Sequence, residues 1–237
     1  MKLEALKAWG EWQVLRELEG GYRNKVYLVK NGDELAVAKT TGRSKEALEW
    51  LEPVFDSAEE AGFVVPRFIK TKNGNISFEG ITLETFIEGK AFTSEEMPVI
   101  LPLLERFHHK TADVAQRPDF ASSLDLLREP RGGDVNLSHM PKGLVKRCRD
   151  AWEALEGHPQ SAIHGDINPS NLLHMSDDRV ALLDWDEARV DASIFDMSFI
   201  KTSEDLRRAF LAWEVATCWL VEPSYAKTLA LNLYQRD

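Results

Sequence analysis

Cysteine is scarce in this chain of 237 residues, which contains only Cys148 and Cys218. Two thiols cannot build the dense disulfide framework of a small secreted scaffold, and Cys218 lies inside the apolar run AWEVATCWLV. We therefore expect both thiols to be reduced and inert. Because 43% of the residues are apolar, the chain can form one large domain or two closely packed lobes with a substantial core.

Long apolar runs and basic clusters are also missing. No uncharged apolar stretch approaches the roughly 18 residues that a membrane span needs, and the segment MKLEALKAW lacks the apolar core of a signal peptide. We expect a soluble, cytoplasmic protein without a membrane partner. The net charge of −10, with no Lys/Arg block, disfavours a nucleic-acid partner and suits a cationic small substrate, although excess acid also serves solubility.

The first part of the chain has the pattern of an antiparallel sheet with one helix. The segments WQVLREL, KVYLV and ELAVAKT predict three strands, the last two joined by an Asn31-Gly32-Asp33 turn. From Ser44 to Ala61 the period becomes helical, and Pro53 predicts a kink or a second helix start. The segments RFIKT and ISFEGITLETFIEG predict two further strands joined through an Asn-Gly turn at 73 and 74.

Helical patterns dominate the remainder, over residues 94–116, 141–156 and most of 193–237. Short strands are predicted near 171–175 and 179–183, and residues 131–143 resemble a long loop. A sheet followed by helices predicts an α+β fold in two lobes. We place an antiparallel-sheet N-lobe at residues 1–87 and a mainly helical C-lobe at residues 88–237.

Two polar motifs in the second half suggest phosphoryl-transfer chemistry. In AIHGDINPSNLL, Asp166 and Asn171 lie five positions apart in a stretch whose Gly and Pro exclude a regular helix. The apolar run VALLDWDEA ends on Asp184, thirteen positions after Asn171, a separation that suits a short hairpin. Amide and carboxylate oxygens are suitable ligands for Mg²⁺, which leaves Asp166 as a base or orienting group.

A phosphotransferase of this kind also needs a cation for the nucleotide phosphates. The third predicted strand, ELAVAKT, provides Lys39. The next helical segment contains Glu46, Glu49 and Glu52 as candidate acids to hold that lysine.

These elements together resemble the protein-kinase-like superfamily, specifically its aminoglycoside phosphotransferase and choline kinase branch. That branch has His-Gly-Asp, four residues, then Asn, which is matched by His164-Gly165-Asp166 and Asn171. Its metal motif, an apolar run ending in Asp-Trp with an acid beyond, is matched by Leu183-Asp184-Trp185-Asp186. The segments GGYRNKVYLV, LETFIEG and LLERFHH resemble its nucleotide-covering hairpin, its lobe connector and the helix that follows.

The resemblance implies a role for each matched residue. Asp166 would accept or orient the substrate hydroxyl, Asn171 and Asp184 would hold Mg²⁺, and Lys39 would bind the α- and β-phosphates of ATP. Glu52 is the first choice as partner of Lys39, and Glu49 is the rival.

The resemblance also implies how the rest of ATP would be held and what would accept the phosphoryl group. Gly20 and Gly21 would approach the phosphates, and the adenine edge would meet backbone groups from Glu84 to Phe86. Gly165 stands where protein kinases have an arginine that pairs with a phosphorylated activation loop. We therefore expect an enzyme without that switch, acting on a hydroxyl of an aminoglycoside-, choline- or homoserine-like small molecule.

Two other functions are compatible with parts of the sequence. In a haloacid-dehalogenase-like phosphatase, Asp184 would be the nucleophile and Asp186 an acid, but the motifs lie too close together in the chain. A nucleotide-binding regulator would keep the fold without turnover, although Lys39, Asp166, Asn171 and Asp184 are all present.

Aromatic residues and histidines of the second half have alternative interpretations as well. Trp152, Trp213 and Trp219 are either an aromatic box for a quaternary ammonium or ordinary core residues, and core packing is favoured. We expect a core or capping role for His108 and His109 rather than metal binding, and the resemblance implies a loop-packing role for His164 rather than base catalysis.

Overall fold

The structure is a computed structural model that describes residues 3–18 and 23–234. Gly20 and Gly21, the glycines predicted to approach phosphate, lie outside these residues. The chain divides into two compact units, one formed by residues up to Ala91 with Leu173–Leu183, the other by Phe92–Leu172 with the residues from Asp184 onward. Across the described ranges, every helix is too short or too polar to traverse a bilayer.

The regular elements follow the α+β expectation. The strands are β1 Gln13–Leu18, β2 Val26–Asn31, β3 Glu34–Thr40, β4 Phe63–Val64, β5 Ser77–Phe78, β6 Ile81–Thr85, β7 Lys90–Ala91, β8 Arg131–Gly132, β9 Val135–Asn136, β10 Gln160–Ile163, β11 Leu172–His174, β12 Val180–Leu182 and β13 Arg189–Ala192. The α-helices are α1 Lys45–Glu49, α2 Leu51–Ala61, α3 Leu101–Lys110, α4 Lys142–Trp152, α5 Glu204–Cys218 and α6 Pro223–Tyr234.

The first unit is built on an antiparallel sheet in the order β1-β2-β3-β6-β5. The predicted turn between β2 and β3 is confirmed, since Asn31 pairs with Glu34 and Gly32 adopts a φ of 59°. Ala36 and Ala38 of β3 are fully buried in a core that includes Leu6 of the 3₁₀ helix Leu3–Ala8 and Trp9, which follows that helix. Strand alternation therefore directs Lys39 to the opposite face of the sheet.

The helical segment of this unit is broken in two, as Pro53 predicted. Ser44 caps α1 by accepting a hydrogen bond from the Ala47 N–H at 3.2 Å, and Trp50 joins α1 to α2. Pro53 lies in the first turn of α2, where its missing N–H removes no intrahelical hydrogen bond. Gly62 ends α2 with a φ of 109°.

The prediction of two further strands after α2 was wrong for the first of them, RFIKT. Residues 67–71 form only an isolated bridge, from Phe68 to Glu84, although the Ile69 N–H also donates to Leu83. The run from 76 to 89 contains a tight hairpin of β5 and β6, because Glu79 and Gly80 both take positive φ angles, 48° and 74°. A glutamate at this position is not a usual turn signal, which is why the hairpin was missed.

In the second unit the helices α4, α5 and α6 pack around a core that includes Trp152 and Trp213. The helix predicted over 94–116 is shorter, a 3₁₀ turn at Met97–Ile100 followed by α3, which ends where the Thr111 hydroxyl bonds back to the Phe107 carbonyl. The stretch 131–143 holds the small β8–β9 hairpin. β10 pairs antiparallel with β13, with Gln160 opposite Ala192 and Ile163 opposite Arg189. This pairing was not predicted.

Candidate active site

The predicted catalytic loop, residues 164–171, follows β10 and places two asparagines on one aspartate. The Asn171 Nδ2 group donates to the Asp166 carboxylate (Oδ2) and to the Asp166 carbonyl, both at 2.9 Å. The Asn168 Nδ2 group donates to the other carboxylate oxygen (Oδ1) of Asp166 at 3.0 Å. Asp166 is exposed, and both of its oxygens are oriented by these amides. The structure thus brings the predicted pair Asp166 and Asn171 together.

Asn168 is a site residue that the sequence analysis missed. Its Oδ1 accepts a hydrogen bond from the Ser170 N–H at 3.0 Å and caps the 3₁₀ turn Pro169–Asn171. One amide therefore shapes the turn that carries Asn171 and also holds Asp166. The available signal was an asparagine directly before a proline, a common turn-initiating pair.

Asp196 anchors the start of this loop from the protein interior. The sequence assigned no definite role to this residue, but it is fully buried and its carboxylate accepts from the backbone N–H groups of His164 at 2.8 Å and Gly165 at 2.9 Å. The His108 Nε2 group lies 3.0 Å from the same carboxylate. Burial opposes ionisation of Asp196, but the hydrogen bond from His108, attraction to both imidazoles and the Gly165 N–H outweigh it, so its pKa lies below the ordinary value of 3.8.

Asp184 stands at the end of the β12 segment in a rare backbone conformation. Its φ and ψ are 61° and 67°, in the left-handed region, and the 3₁₀ turn Trp185–Glu187 follows it. Such angles are uncommon outside glycine and are concentrated at functional sites. The Asp184 side chain is exposed, whereas Trp185 is buried with its ring against His164 at a centroid distance of 4.9 Å. The expected packing role of His164 is confirmed.

The residues predicted to hold Mg²⁺ have suitable chemistry for it. Because the Asn171 nitrogen is committed to Asp166, its Oδ1 is the atom left to act as a ligand. An amide oxygen and the Asp184 carboxylate form an oxygen-only donor set, which is the set that Mg²⁺ uses while it keeps water and phosphate as its other ligands. Among the described residues, no group of three or more His, Cys, Asp or Glu side chains forms a dedicated metal cage.

The predicted nucleotide-binding residues of the first unit lie on or beside its strands and on its helices. Lys39 lies on β3, between β2 and β6, paired with Val26 and Thr82. Glu52 contacts the Lys70 ammonium at 3.1 Å and Glu49 contacts Lys45 at 3.4 Å, so the acid that holds Lys39 stays a prediction. Glu84 belongs to β6, and Phe86 follows that strand directly.

The core interpretation of the tryptophans is confirmed for two of them. Trp152 and Trp213 are buried in one cluster with their ring centroids 6.1 Å apart. Trp219 is half-buried and donates from its indole nitrogen to the His139 carbonyl at 2.9 Å. His108 is also a buried packing residue, as expected.

An antiparallel sheet that carries Lys39, followed by a helical unit with Asp166, Asn171 and Asp184 on its loops, is the arrangement that the resemblance to kinase-like phosphotransferases predicts. Solved structures of that class are similar in fold to this chain. A microcompartment-associated aminopropanol kinase is 11% identical, with 98% of this chain and 93% of that chain covered at a TM-score of 0.63. A choline kinase from Streptococcus pneumoniae is 17% identical, with coverage of 94% and 92% and a TM-score of 0.59.

A spectinomycin phosphotransferase, solved with ADP and spectinomycin, is 14% identical, with coverage of 98% and 89% and a TM-score of 0.58. No curated protein sequence matches significantly. The model of the phosphotransferase enzyme family matches residues 14–218, and the chain belongs to that family.

These findings confirm the predicted α+β, two-lobed, protein-kinase-like fold and the resemblance to aminoglycoside phosphotransferases and choline kinases. They exclude the phosphatase alternative, because a haloacid-dehalogenase-like protein needs a parallel Rossmann-like sheet. The five-stranded sheet of the first unit is antiparallel throughout, and β4 pairs with β12 in parallel.

Proposed function

We propose that this protein transfers the γ-phosphoryl group of ATP to a hydroxyl of a small amino alcohol. The observation that carries the proposal is the pair of amide hydrogen bonds that orients the Asp166 carboxylate and leaves the Asn171 oxygen available as a ligand. The phosphoryl-transfer transition state is loose, so catalysis depends mainly on positioning and charge neutralisation. An oriented aspartate, together with the oxygen ligands proposed for Mg²⁺, would meet both needs.

Asp166 has capacity left for a substrate. A carboxylate oxygen offers about two acceptor sites, and each Asp166 oxygen receives one of the amide hydrogen bonds described above. A substrate hydroxyl can donate to a remaining site, which aligns its oxygen for attack and gives its proton an acceptor. Exposure of Asp166 allows the hydroxyl to reach it.

The proposed roles around the phosphates follow from charge. Asn171 and Asp184 would hold Mg²⁺, which neutralises charge on the β- and γ-phosphates when it is bound. Lys39 is proposed to pair with the α- and β-phosphates and Glu52 to hold Lys39, with Glu49 as the rival. The backbone from Glu84 to Phe86 is proposed to meet the adenine, and Gly20 and Gly21 to approach the phosphates.

The nucleotide and acceptor classes are supported by the structural neighbours. Spectinomycin phosphotransferase was solved with ADP, and other structures of similar fold contain AMP or AMP-PNP. The neighbours include kinases of aminopropanol and choline, which are small amino alcohols. The net charge of −10 favours a cationic acceptor of that kind.

A thermal-shift screen followed by a turnover assay tests the proposal. Purified protein would be heated with Mg-ATP and then with ethanolamine, choline, aminopropanol, homoserine or an aminoglycoside. A ligand at 100 times its Kd stabilises the native state by about 2.7 kcal/mol, so a selective acceptor raises Tm. ADP formation is then followed with each compound that binds.

Asp166→Ala is the control variant, because it removes the proposed base and leaves the other proposed nucleotide-binding residues in place. We expect it to bind Mg-ATP like the wild type and to lose turnover by at least about a hundredfold. Binding of Mg-ATP without consumption by wild type, across all acceptors, would favour the nucleotide-binding regulator instead. Equal turnover in the variant would remove Asp166 from the mechanism.

A further inference from the structure

The segment that follows Asp184, residues 185–190, has nearly all of its backbone carbonyls bonded to side chains. We call it the post-aspartate segment. The Arg117 NH1 group donates to the carbonyls of Asp186 and Ala188 at 2.9 Å each and contacts that of Trp185 at 3.4 Å. The Glu187 carbonyl accepts from Arg189 at 3.3 Å, and the Val190 carbonyl accepts from Gln116 at 2.8 Å.

The first of these donors, Arg117, is an unusual residue to find inside a protein. Only 1% of it is exposed, and its guanidinium lies over the Phe120 ring at 4.3 Å. Burial of a guanidinium is costly unless its donors are satisfied. Here the NH1 group meets backbone carbonyls of one short segment, so this conformation of the segment helps to offset the cost of burying Arg117.

Arg189 fixes the same segment from a second side. It is also 1% exposed, its Nε donates to the Asp191 carboxylate at 2.9 Å, and its guanidinium lies 3.5 Å from the centroid of the Trp213 ring. Asp191 is fully buried and also accepts from the Ser123 hydroxyl at 2.6 Å and the Ser123 N–H at 3.0 Å. The ion pair is therefore enclosed, with Arg189 Nε on Asp191 and the Asp191 carboxylate also held by Ser123.

Arg189 also contacts the catalytic loop at Gly165. A Cβ atom added at Gly165 would lie 2.8 Å from the Arg189 NH1 atom and 2.8 Å from the Glu187 carbonyl oxygen. These spacings leave no room for a side chain, so the glycine before Asp166 packs directly on the post-aspartate segment. A shift of that segment would therefore move the loop that carries Asp166 relative to Asp184.

We propose that Arg117 and Arg189 are positioning residues that hold the post-aspartate segment permanently in its working conformation. In protein kinases an arginine at the position of Gly165 pairs with a phosphate added to the activation loop. In this chain the guanidinium in contact with residue 165 comes from Arg189, and its counter-ion is Asp191, which needs no modification. The segment is thus ordered by built-in charges rather than by a covalent switch. The inference rests on the proposed function.

Lysine substitutions separate positioning from simple loss of charge. Arg117→Lys and Arg189→Lys keep the cation, but they lose the planar fork that reaches several acceptors and stacks on an aromatic ring. The assay is phosphate release from Mg-ATP, with water as the acceptor, at saturating nucleotide and per folded molecule. We expect kcat to fall by about 10- to 100-fold, as small displacements at a reacting centre do, while the KM for Mg-ATP changes by less than about threefold.

Arg149→Lys is the matched control. Arg149 is half-buried and donates to two backbone carbonyls, those of Leu126 at 3.0 Å and Glu129 at 3.2 Å, which belong to neither the catalytic loop nor the post-aspartate segment. We expect this variant to lose stability with unchanged kcat. If Arg117→Lys and Arg189→Lys lower Tm as Arg149→Lys does and keep kcat within about twofold of wild type, the two arginines are structural only and the inference is wrong.

Backbone hydrogen exchange supplies a readout that does not depend on turnover. Both lysine variants should exchange the amides of residues 185–190 at least about tenfold faster than wild type, and the control should not. Unchanged exchange in the lysine variants would overturn the inference, whether or not wild type shows activity. Absence of activity in wild type would count against the proposed function alone. If either lysine variant fails to fold, Ser123→Ala, which loosens Asp191, should still raise exchange in the segment, and no rise would refute the proposal.

Discussion

Substitution of Asp196 tests how the loop that carries Asp166 is held. Among the residues that the structure describes, the Asp196 Oδ1 atom accepts from the Gly165 N–H alone, whereas Oδ2 accepts the His164 N–H and lies 3.0 Å from the His108 Nε2 group. In Asp196→Asn the amide nitrogen can take the place of either carboxylate oxygen. We expect it at the position of Oδ1, because there it faces one donor, the Gly165 N–H, whereas at the position of Oδ2 it would face two.

The size of the effect follows from these contacts. One buried N–H left without an acceptor costs about 1–3 kcal/mol, and the two remaining hydrogen bonds each lose roughly 1 kcal/mol when their acceptor becomes neutral. We therefore expect Asp196→Asn to lower the free energy of unfolding by roughly 3–5 kcal/mol. Asp196→Ala, which removes all three acceptor contacts, should cost at least as much.

Equilibrium unfolding in urea at pH 7, followed by tryptophan fluorescence, measures this free energy. Asp150→Asn is a suitable control, since Asp150 forms an exposed pair with Lys146 on α4 and such pairs contribute little. A loss below about 1 kcal/mol for Asp196→Ala, with an unchanged m-value, would refute the account of Asp196 as the anchor of the catalytic loop.

Three further predictions concern the same loop. Asn168→Asp keeps the acceptor that caps Pro169–Asn171 but loses the donor to Asp166, so kcat should fall by about tenfold or more with little change in Tm; equal kcat would show that the Asn168 hydrogen bond is dispensable. In Gly165→Ala, the new Cβ must accept a φ of +85° and would lie 2.8 Å from two neighbouring atoms. The free energy of unfolding in urea should fall by at least about 1–3 kcal/mol, and most activity should be lost. A stable, active variant would contradict the packing described. The pKa of Asp196 is lower in the folded than in the unfolded chain, so its stabilisation is present above the ordinary value of 3.8 and is lost as pH falls through the folded pKa. The difference in unfolding free energy between wild type and Asp196→Asn should therefore become smaller as pH falls below 3.8. A difference that stays constant with pH would contradict the lowered pKa of Asp196.

Local patterns in the sequence predicted the elements whose causes are local. The Asn31-Gly32 turn and the helix restart near Pro53 depend on the φ preferences of single residues, and both are present. The Glu79-Gly80 hairpin was missed because glutamate seldom takes a positive φ.

Features that depend on distant contacts were not predicted. Pairing of β10 with β13 joins segments from either side of the site, and no local periodicity encodes it. Arg117 and Arg189 resemble surface residues in the sequence, since arginine is almost never fully buried unless it is paired. Their partners are backbone carbonyls and a buried aspartate, which only the folded chain brings within reach.

Phosphorus NMR of Mg-ATP incubated with the protein and each amino alcohol tests the central claim most directly, because it detects both ADP and a phosphomonoester product. The account predicts a new phosphomonoester resonance with at least one hydroxyl-bearing acceptor for wild type and none for Asp166→Ala. Intact ATP with every acceptor, in a sample that binds Mg-AMP-PNP, would contradict the assignment of this chain as an active phosphotransferase.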